Sequence, residues 1–545
     1  MKKLHIQSER GVATMIALLM MGMLVLIGLA AMSTSDDEVQ IASNEFQEMK
    51  AFYAAEAGLE KAAALLQAEY DSTGAPPTVM PMGQETLNKC SVTFKVTDDG
   101  PPETRPLTFG TLAGLNAQVK SFTTTAVGVS NIDRAKVEMS QSFEAALIPL
   151  FQFAVFYGND LEIAPGPAMD LIGRVHSNGD LWIQAGNTLK MDSYVTASGD
   201  IKHGRKGAGG VSSGDVQIKD NNGNHVTMKM GGSWLDANYG DWYDSSIARW
   251  GGRVQDQSHG QTELNLPLTG GSDPHKIIER ADGSNEDSFE HKAGLIIKDG
   301  VALRKQGDGT WLDVTANMVA DGVISYAPDQ FTDFREGERI DVTELDVQKL
   351  YSNGYDPING VVYFADDVAS SSEWPALRLN NGSELGDDLT IASENPIYVN
   401  GDYNKTNKKA AAIMADAVNY LSNSWDDSKS ALGLSDRRAS ETTVNASYMT
   451  GNTETTSSQY NGGFENLPRF LEDWGSRKFN WTGSAVNLWY SVQAYSDWSN
   501  ASYRPPIRNW KYDTDLDDPN NLPPETPTVR VFQRTNWKQS YVGAE

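Results

Sequence analysis

Between Gly11 and Ser35 the chain carries no charged residue, and most positions from Val12-Ala13-Thr14-Met15-Ile16 to Leu29-Ala30-Ala31-Met32 are apolar. At 1.5 Å per residue such a run crosses about 30 Å of hydrocarbon. The helical pattern continues past it. Ala42, Phe46, Met49, Tyr53 and Ala57 keep three- and four-residue spacing, and so do Phe52, Ala55, Leu59, Ala62 and Leu66. No proline occurs before Pro76. The pattern predicts one continuous helix from Val12 to about Ala68, roughly 85 Å long, with residues 12–34 in a bilayer. Its amphipathic second half presents an apolar stripe to a partner layer. Lys2, Lys3 and Arg10 precede the span, while Asp36, Asp37 and Glu38 follow it. This asymmetry puts the N-terminus in the cytoplasm and the remaining chain outside. A removable secretory signal is the competing reading, because small residues near Ala30 suit a signal peptidase. The apolar run is longer than the core of such a signal. A plain anchor followed by a coiled coil is the simpler alternative.

After the helix the period changes to two. Val92, Phe94 and Val96 alternate, as do positions in Val119–Val127 and in Ala135–Met139. Residues 71–150 therefore read as a run of strands. From residue 158 a repeat appears. Gly158-Asn159-Asp160-Leu161, Asn178-Gly179-Asp180-Leu181 and Ser198-Gly199-Asp200-Ile201 place Asp160, Asp180 and Asp200 twenty residues apart, and Ser213-Gly214-Asp215-Val216 follows. A polar turn feeding a short apolar strand at that period suits the coils of a β-helix, with a β-sandwich as the alternative. The glycine is expected to supply positive φ, and the aspartate to bond its own turn. Similar units return at Asp387–Ile391 and Ile397–Asp402, with Thr443–Ala446 and Ala485–Leu488 as further candidate coils. The segments 203–300 and 404–440 read as insertions. The second contains an Ala-rich helix at Lys408–Leu421. A short helix is expected at Asn466–Trp474, and residues 503–528 are expected to run extended over the body. The fold class is thus α+β, with the β-rich region occupying 151–545.

Composition narrows the function. The net charge of −27 repels phosphate backbones and argues against a nucleic-acid partner. The 13 Trp, 20 Tyr and 17 Phe provide core material and argue against disorder. Cys90 is the single cysteine, so no internal disulfide forms, and its alternating apolar neighbours mark it as a buried small hydrophobe.

Glu9-Arg10-Gly11, followed by Val12-Ala13-Thr14-Met15-Ile16-Ala17-Leu18-Leu19, resembles a prepilin leader junction. Ala51-Phe52-Tyr53-Ala54-Ala55-Glu56-Ala57-Gly58-Leu59-Glu60 resembles the signature of PilX-type minor pilins at the same place in the helix. The resemblance implies a leader at 1–11, cut between Gly11 and Val12 by a prepilin peptidase, with the helix retained and a small antiparallel sheet over 71–150 packed on it. It marks Tyr53, Ala55, Glu56, Ala57 and Gly58 as signature positions. It also implies the bacterial inner membrane, other pilins and a large tip adhesin as partners. Major pilins carry a glutamate at the fifth mature position, where this chain has Ile16. A carboxylate in the bilayer costs about 2.5–3.5 kcal/mol and is kept where it can pair with a subunit above. Its absence resembles tip-type subunits. Gly173–Asp180, Asn395–Asn404 and Phe470–Trp474 also resemble a large ectodomain of PilX-type surface proteins.

Catalytic signatures are missing. There is no His-Glu-x-x-His, no cysteine pair, no phosphate loop and no Gly-x-Ser-x-Gly. His176 is expected at a turn or in a ring stack. No enzyme and no cofactor are expected, although a polysaccharide lyase or hydrolase is kept as an alternative. Asp513, Asp515 and Asp517 have the alternating oxygens that calcium favours, but lack the rest of a calcium loop. The expected function is a minor pilin or pseudopilin whose ectodomain adheres or binds a partner. The alternative is a tethered carbohydrate-binding protein.

Overall fold

The computed structural model describes residues 10–542 except 109, 133, 208–209, 284, 368–373 and 500. One helix runs unbroken over Arg10–Thr73. Its 64 residues correspond to about 96 Å. It ends at Gly74, whose φ of +71° lets its N–H reach the carbonyl of Tyr70 at 2.9 Å.

The second half of the helix lies on an antiparallel sheet, which forms the head. In spatial order its strands are Met82–Leu87, Cys90–Asp98, Asn116–Ser130, Lys136–Pro149 and Thr528–Val542, with Glu103–Pro106 also on Asn116–Ser130. Ala51, Ala55, Leu59, Ala62, Leu66 and Tyr70 bury against Phe94, Phe122, Ala126, Met139 and Phe143. Cys90 is buried beside Ala54 and Val92, as expected. The last strand was unexpected. The sequence places residues 528–542 in the ectodomain, but they close the head sheet instead. Thr528 pairs with Pro149, so the whole body is inserted between two neighbouring strands.

The body is a stack of coils. Its longest wall is parallel over ten strands, in spatial order Val254–Gln255, Val195–Ala197, Arg174–Ser177, Phe153–Tyr157, Ala485–Asn487, Ser447–Thr450, Ala411–Ala415, Leu389–Ser393, Val361–Ala365 and Leu295–Lys298. The chain therefore enters the stack in its middle, at Phe153. It climbs to one end at Val254, returns outside the coils through residues 256–294, and restarts at the other end. It then runs back to a seam where Ala485–Asn487 pairs with Val155–Tyr157. The other walls are parallel too. Leu161–Ile163, Leu181–Ile183 and Ile201–His203 stack in one, and Pro375–Asn380, Ile397–Asn400 and Val418–Leu421 in another. Leu150, Phe151 and Phe156 of the body share a core with Leu115, Val119, Ile148 and Val529 of the head.

The twenty-residue repeat is a ladder between coils. Asp160 Oδ1 accepts from the Asp180 N–H at 2.8 Å, and Asp180 Oδ1 accepts from the Asp200 N–H at 2.8 Å. The aspartate thus bonds the next coil's turn, where the sequence led to the expectation of a bond within its own. Gly179 and Gly199 are absent from the positive-φ positions. Their role is clearance, because a Cβ would stand 2.3 and 2.4 Å from the carboxylate below. The fourth unit belongs elsewhere, since Asp215–Lys219 pairs with Thr188–Met191 in a different wall.

Two expected helices are strands. Ala411–Ala415 and Val418–Leu421 are buried along their whole length. Alanine favours helix in isolation, but a run buried on both sides carries no periodicity to decide between the two. Here the small side chains fit between stacked coils. In the stretch Asn466–Trp474, a 3-10 turn at Phe464–Asn466 leads into the strand Arg469–Phe470. The segment 203–300 contributes coil strands and the helix Trp242–Trp250 as well as loops. Within 503–528, Ile507–Tyr512 is a wall strand parallel to Lys478–Gly483.

Candidate functional site: the exposed helix face

The helix divides at Gln47. Residues 11–46 are exposed all round, and burial against the head begins at Gln47, which accepts from the Ser130 hydroxyl at 3.1 Å. The exposed part is about 54 Å long. It is long and apolar enough to cross a membrane, by length and composition. Gly11, Val12 and Ile16 lie on it, and Ile16 is 52% exposed. Glu9 and the rest of the leader before Arg10 fall outside the described residues.

The two apolar stripes have different uses. Ala55, Leu59, Ala62 and Leu66 are buried on the chain's own sheet, with Phe52 half-buried beside them. Ala42, Phe46, Met49, Tyr53 and Ala57 point away from it and are exposed. The signature divides the same way. Ala55 and Gly58 face the sheet, while Tyr53, Glu56 and Ala57 face solvent. At Gly58 a Cβ would stand 2.7 Å from Val92 and 3.1 Å from Ala126. Across from it, a Cβ on Gly128 would stand 2.1 Å from the Ala51 carbonyl oxygen. These glycines bring helix and strand into backbone contact. Sequence reasoning missed Gly128, although an isolated glycine in a strand is the signal of such an approach.

Ion pairs from the last strand fix the helix further. Arg534 grips the Glu60 carboxylate with both terminal nitrogens and holds its pKa below the usual range. Arg530 reaches Asp71 at 2.6 Å and the Tyr70 carbonyl at 2.8 Å.

Residues 10–60 match the family described as PilX N-terminal. The chain carries a PilX-type pilin N-terminus. Gly11, Ile16 and the 51–60 signature all lie inside the matched stretch, which ends within the buried half of the helix. A solved structure, the competence-associated pilin ComZ from Thermus thermophilus, aligns over 90% of this chain and 97% of that chain at 13% identity. Its TM-score of 0.33 is too low to establish a shared fold. No curated protein matches the chain.

The remaining candidates lie outside this pilin-type segment. Asp513 and Asp515 share the Lys408 ammonium, each at 2.7 Å. Asp517 accepts from the Tyr512 hydroxyl at 2.8 Å. A cation is thus already present in the run, supplied by a side chain, and no metal-holding cluster of His, Cys, Asp or Glu occurs among the described residues. His176 lies in a strand rather than a turn. It bonds Thr196 at 2.8 Å and Asn178 at 2.9 Å and packs on Phe156, and burial lowers its pKa to about 4. A cleft of about 450 Å³ at the seam is lined by Asn159, Asn178, Asn265, His275, Trp489 and Tyr490.

Proposed function

We propose that this chain is a minor pilin, processed after Gly11, that sits at or near the tip of a type IV pilus or pseudopilus. The bare helix carries the reading: residues 11–46 are exposed, and the segment lies within the stretch that matches the PilX N-terminal family. A free apolar helix of that length suits one half in the inner membrane and one half against neighbouring pilins. Ile16 supports a position with no subunit above it, since no carboxylate is present to pair there. The stacked coils are read as a β-helix-like body that displays acidic surface for adhesion or for binding a tip partner. We read the body as a binding module rather than an enzyme. Mass spectrometry of the mature N-terminus is the test. A start at Val12 is expected, and an intact Met1 or a start near Met32 would refute it.

The seam cleft favours a second reading, a tethered carbohydrate-binding protein. Its amides, with the carboxylates of Asp273 and Glu279, match the hydroxyls of a neutral polyol, and the half-exposed Tyr490 offers a ring face to stack. A glycan array with the full chain and with Tyr490→Ala tests this. Loss of a bound glycan in the variant supports it, and an array without signal removes it.

A further inference from the structure

The free part of the helix carries a second regularity. Ser35, Val39, Ala42, Phe46, Met49 and Tyr53 are separated by four, three, four, three and four residues. That alternation is the a/d seam of a left-handed coiled coil. Upstream it continues without charge through Leu18, Met21, Val25, Gly28 and Met32. All of these residues are exposed. The seam lies opposite the face that holds Ala51, Ala55 and Ala62 to the head, so a second helix can approach without meeting the sheet.

Four charges flank the seam: Asp36 and Glu38, which in a parallel pair face the uncharged Ala31 and Ser43 of the other strand, and Glu45 and Lys50. Glu45 directly precedes Phe46, and Lys50 directly follows Met49. These are the g and e positions. Neither has an opposite charge within reach on its own helix. The residues three and four from Glu45 are Ile41, Ala42, Glu48 and Met49, and those from Lys50 are Phe46, Gln47, Tyr53 and Ala54. The Lys50 ammonium instead rests 4.4 Å from the centre of the Phe46 ring. In a parallel pair each g residue faces the e residue five positions on in the partner strand. Glu45 then meets Lys50 of the other copy, twice per dimer. An antiparallel pair would set Glu45 against Glu45.

We propose that residues 35–53 form a parallel two-stranded coiled coil with a second copy of this chain, in the register set by Glu45 and Lys50. The proposal rests on the helix being embedded in a bilayer, which makes two copies parallel and raises their effective concentration.

Disulfide cross-linking of the full-length chain in membranes tests it. Cys90 is buried and adds no background. Met49→Cys, on the seam, is expected to give a dimer of twice the chain mass, while Ile41→Cys, exposed but off the seam, gives none. Glu45→Lys in the Met49→Cys chain is expected to cut cross-linking by about fivefold, and adding Lys50→Glu to restore it. Equal cross-linking at 41 and 49, none at 49, a product with a chain of another mass, or no restoration in the double variant would each overturn the pairing. Carbonate extraction of the same membranes separates the two levels. A chain that stays in the membrane but does not cross-link refutes the coiled coil alone, whereas a chain released by carbonate refutes the anchor as well.

Discussion

Gly128 shows how much one hydrogen atom in place of a methyl decides. A Cβ there would lie 2.1 Å from the Ala51 carbonyl oxygen and 2.9 Å from the Ala55 nitrogen, both of them backbone atoms that cannot rotate away. Gly128→Ala is expected to destabilise the head by about 3 kcal/mol, read as an earlier thermal transition, while Gly22→Ala, with nothing near its Cβ, leaves that transition in place. His176 gives a pH signature. Its folded pKa is about 4, below the roughly 6.5 of an exposed histidine, because burial opposes the charged form. The unfolded chain therefore takes up the proton first, and stability is full above pH 6.5 and lost as the pH falls toward 4. Between pH 7 and 4.5 the loss from this group is about 2–3 kcal/mol. The stability difference between the wild type and His176→Gln, measured by urea unfolding, is expected to shrink by that amount over the same range. A constant difference would show that His176 does not titrate in that window. Comparison with the variant matters because Glu472, pushed up to about 7 by burial, contributes a slope of opposite sign.

The coil ladder makes its prediction at the level of the element. Asp180 accepts from the Asp200 N–H, and its second oxygen lies 2.6 Å from the Lys202 ammonium. Asp180→Ala leaves the Asp200 N–H without its acceptor and Lys202 with Asp200 alone, at 3.0 Å, a loss of about 1–2 kcal/mol visible in thermal unfolding. Asp515→Ala, by contrast, leaves Lys408 still paired with Asp513 and is expected to move the melting temperature little. A chelator is expected to leave it unmoved, because Lys408 already neutralises the acidic run. A drop on chelation would restore calcium to the account. The ladder was legible because its spacing is local: three aspartates twenty residues apart announce three coils. The long helix was legible for the same reason, through apolar spacing and the absence of proline. Ala411–Leu421 was not, because burial on every side erases the polar half of the pattern. The stripe of exposed residues at Phe46, Met49 and Tyr53 was visible in the sequence. Which of the two stripes stayed free depended on the distant strands that cover the other one.

At the scale of the whole molecule, the order of contacts departs most from the order of residues. The second half of the first helix and the last strand meet in the head, and both halves of the coil stack meet at the seam between Val155 and Ala485. Neither junction leaves a local trace, since each joins strands more than 300 residues apart. The consequence is that the last strand is structural for the first helix. Thr528–Val542 supplies Val529 to the core shared with the body, Phe532 to the ring contact with Tyr70 at 5.1 Å, and Arg530 and Arg534 to the helix. Removing residues 528–545 strips Phe532, Arg530 and Arg534 from the helix and Val529 from the shared core, while every strand pair between coils of the body remains. If residues 528–545 were a mere tail, their loss would leave the head intact. The structure leads to the opposite expectation. Limited proteolysis of the chain lacking residues 528–545, in membranes, should cut first within residues 74–149, with the body surviving as a resistant fragment. The double variant Arg530→Ala/Arg534→Ala should show a weaker form of the same pattern, because it loses the ion pairs but keeps the strand. Equal resistance of truncated and intact chains would mean that the head holds the helix through Phe122, Ala126 and Phe143 alone, and that the C-terminal strand rides on it without supporting it.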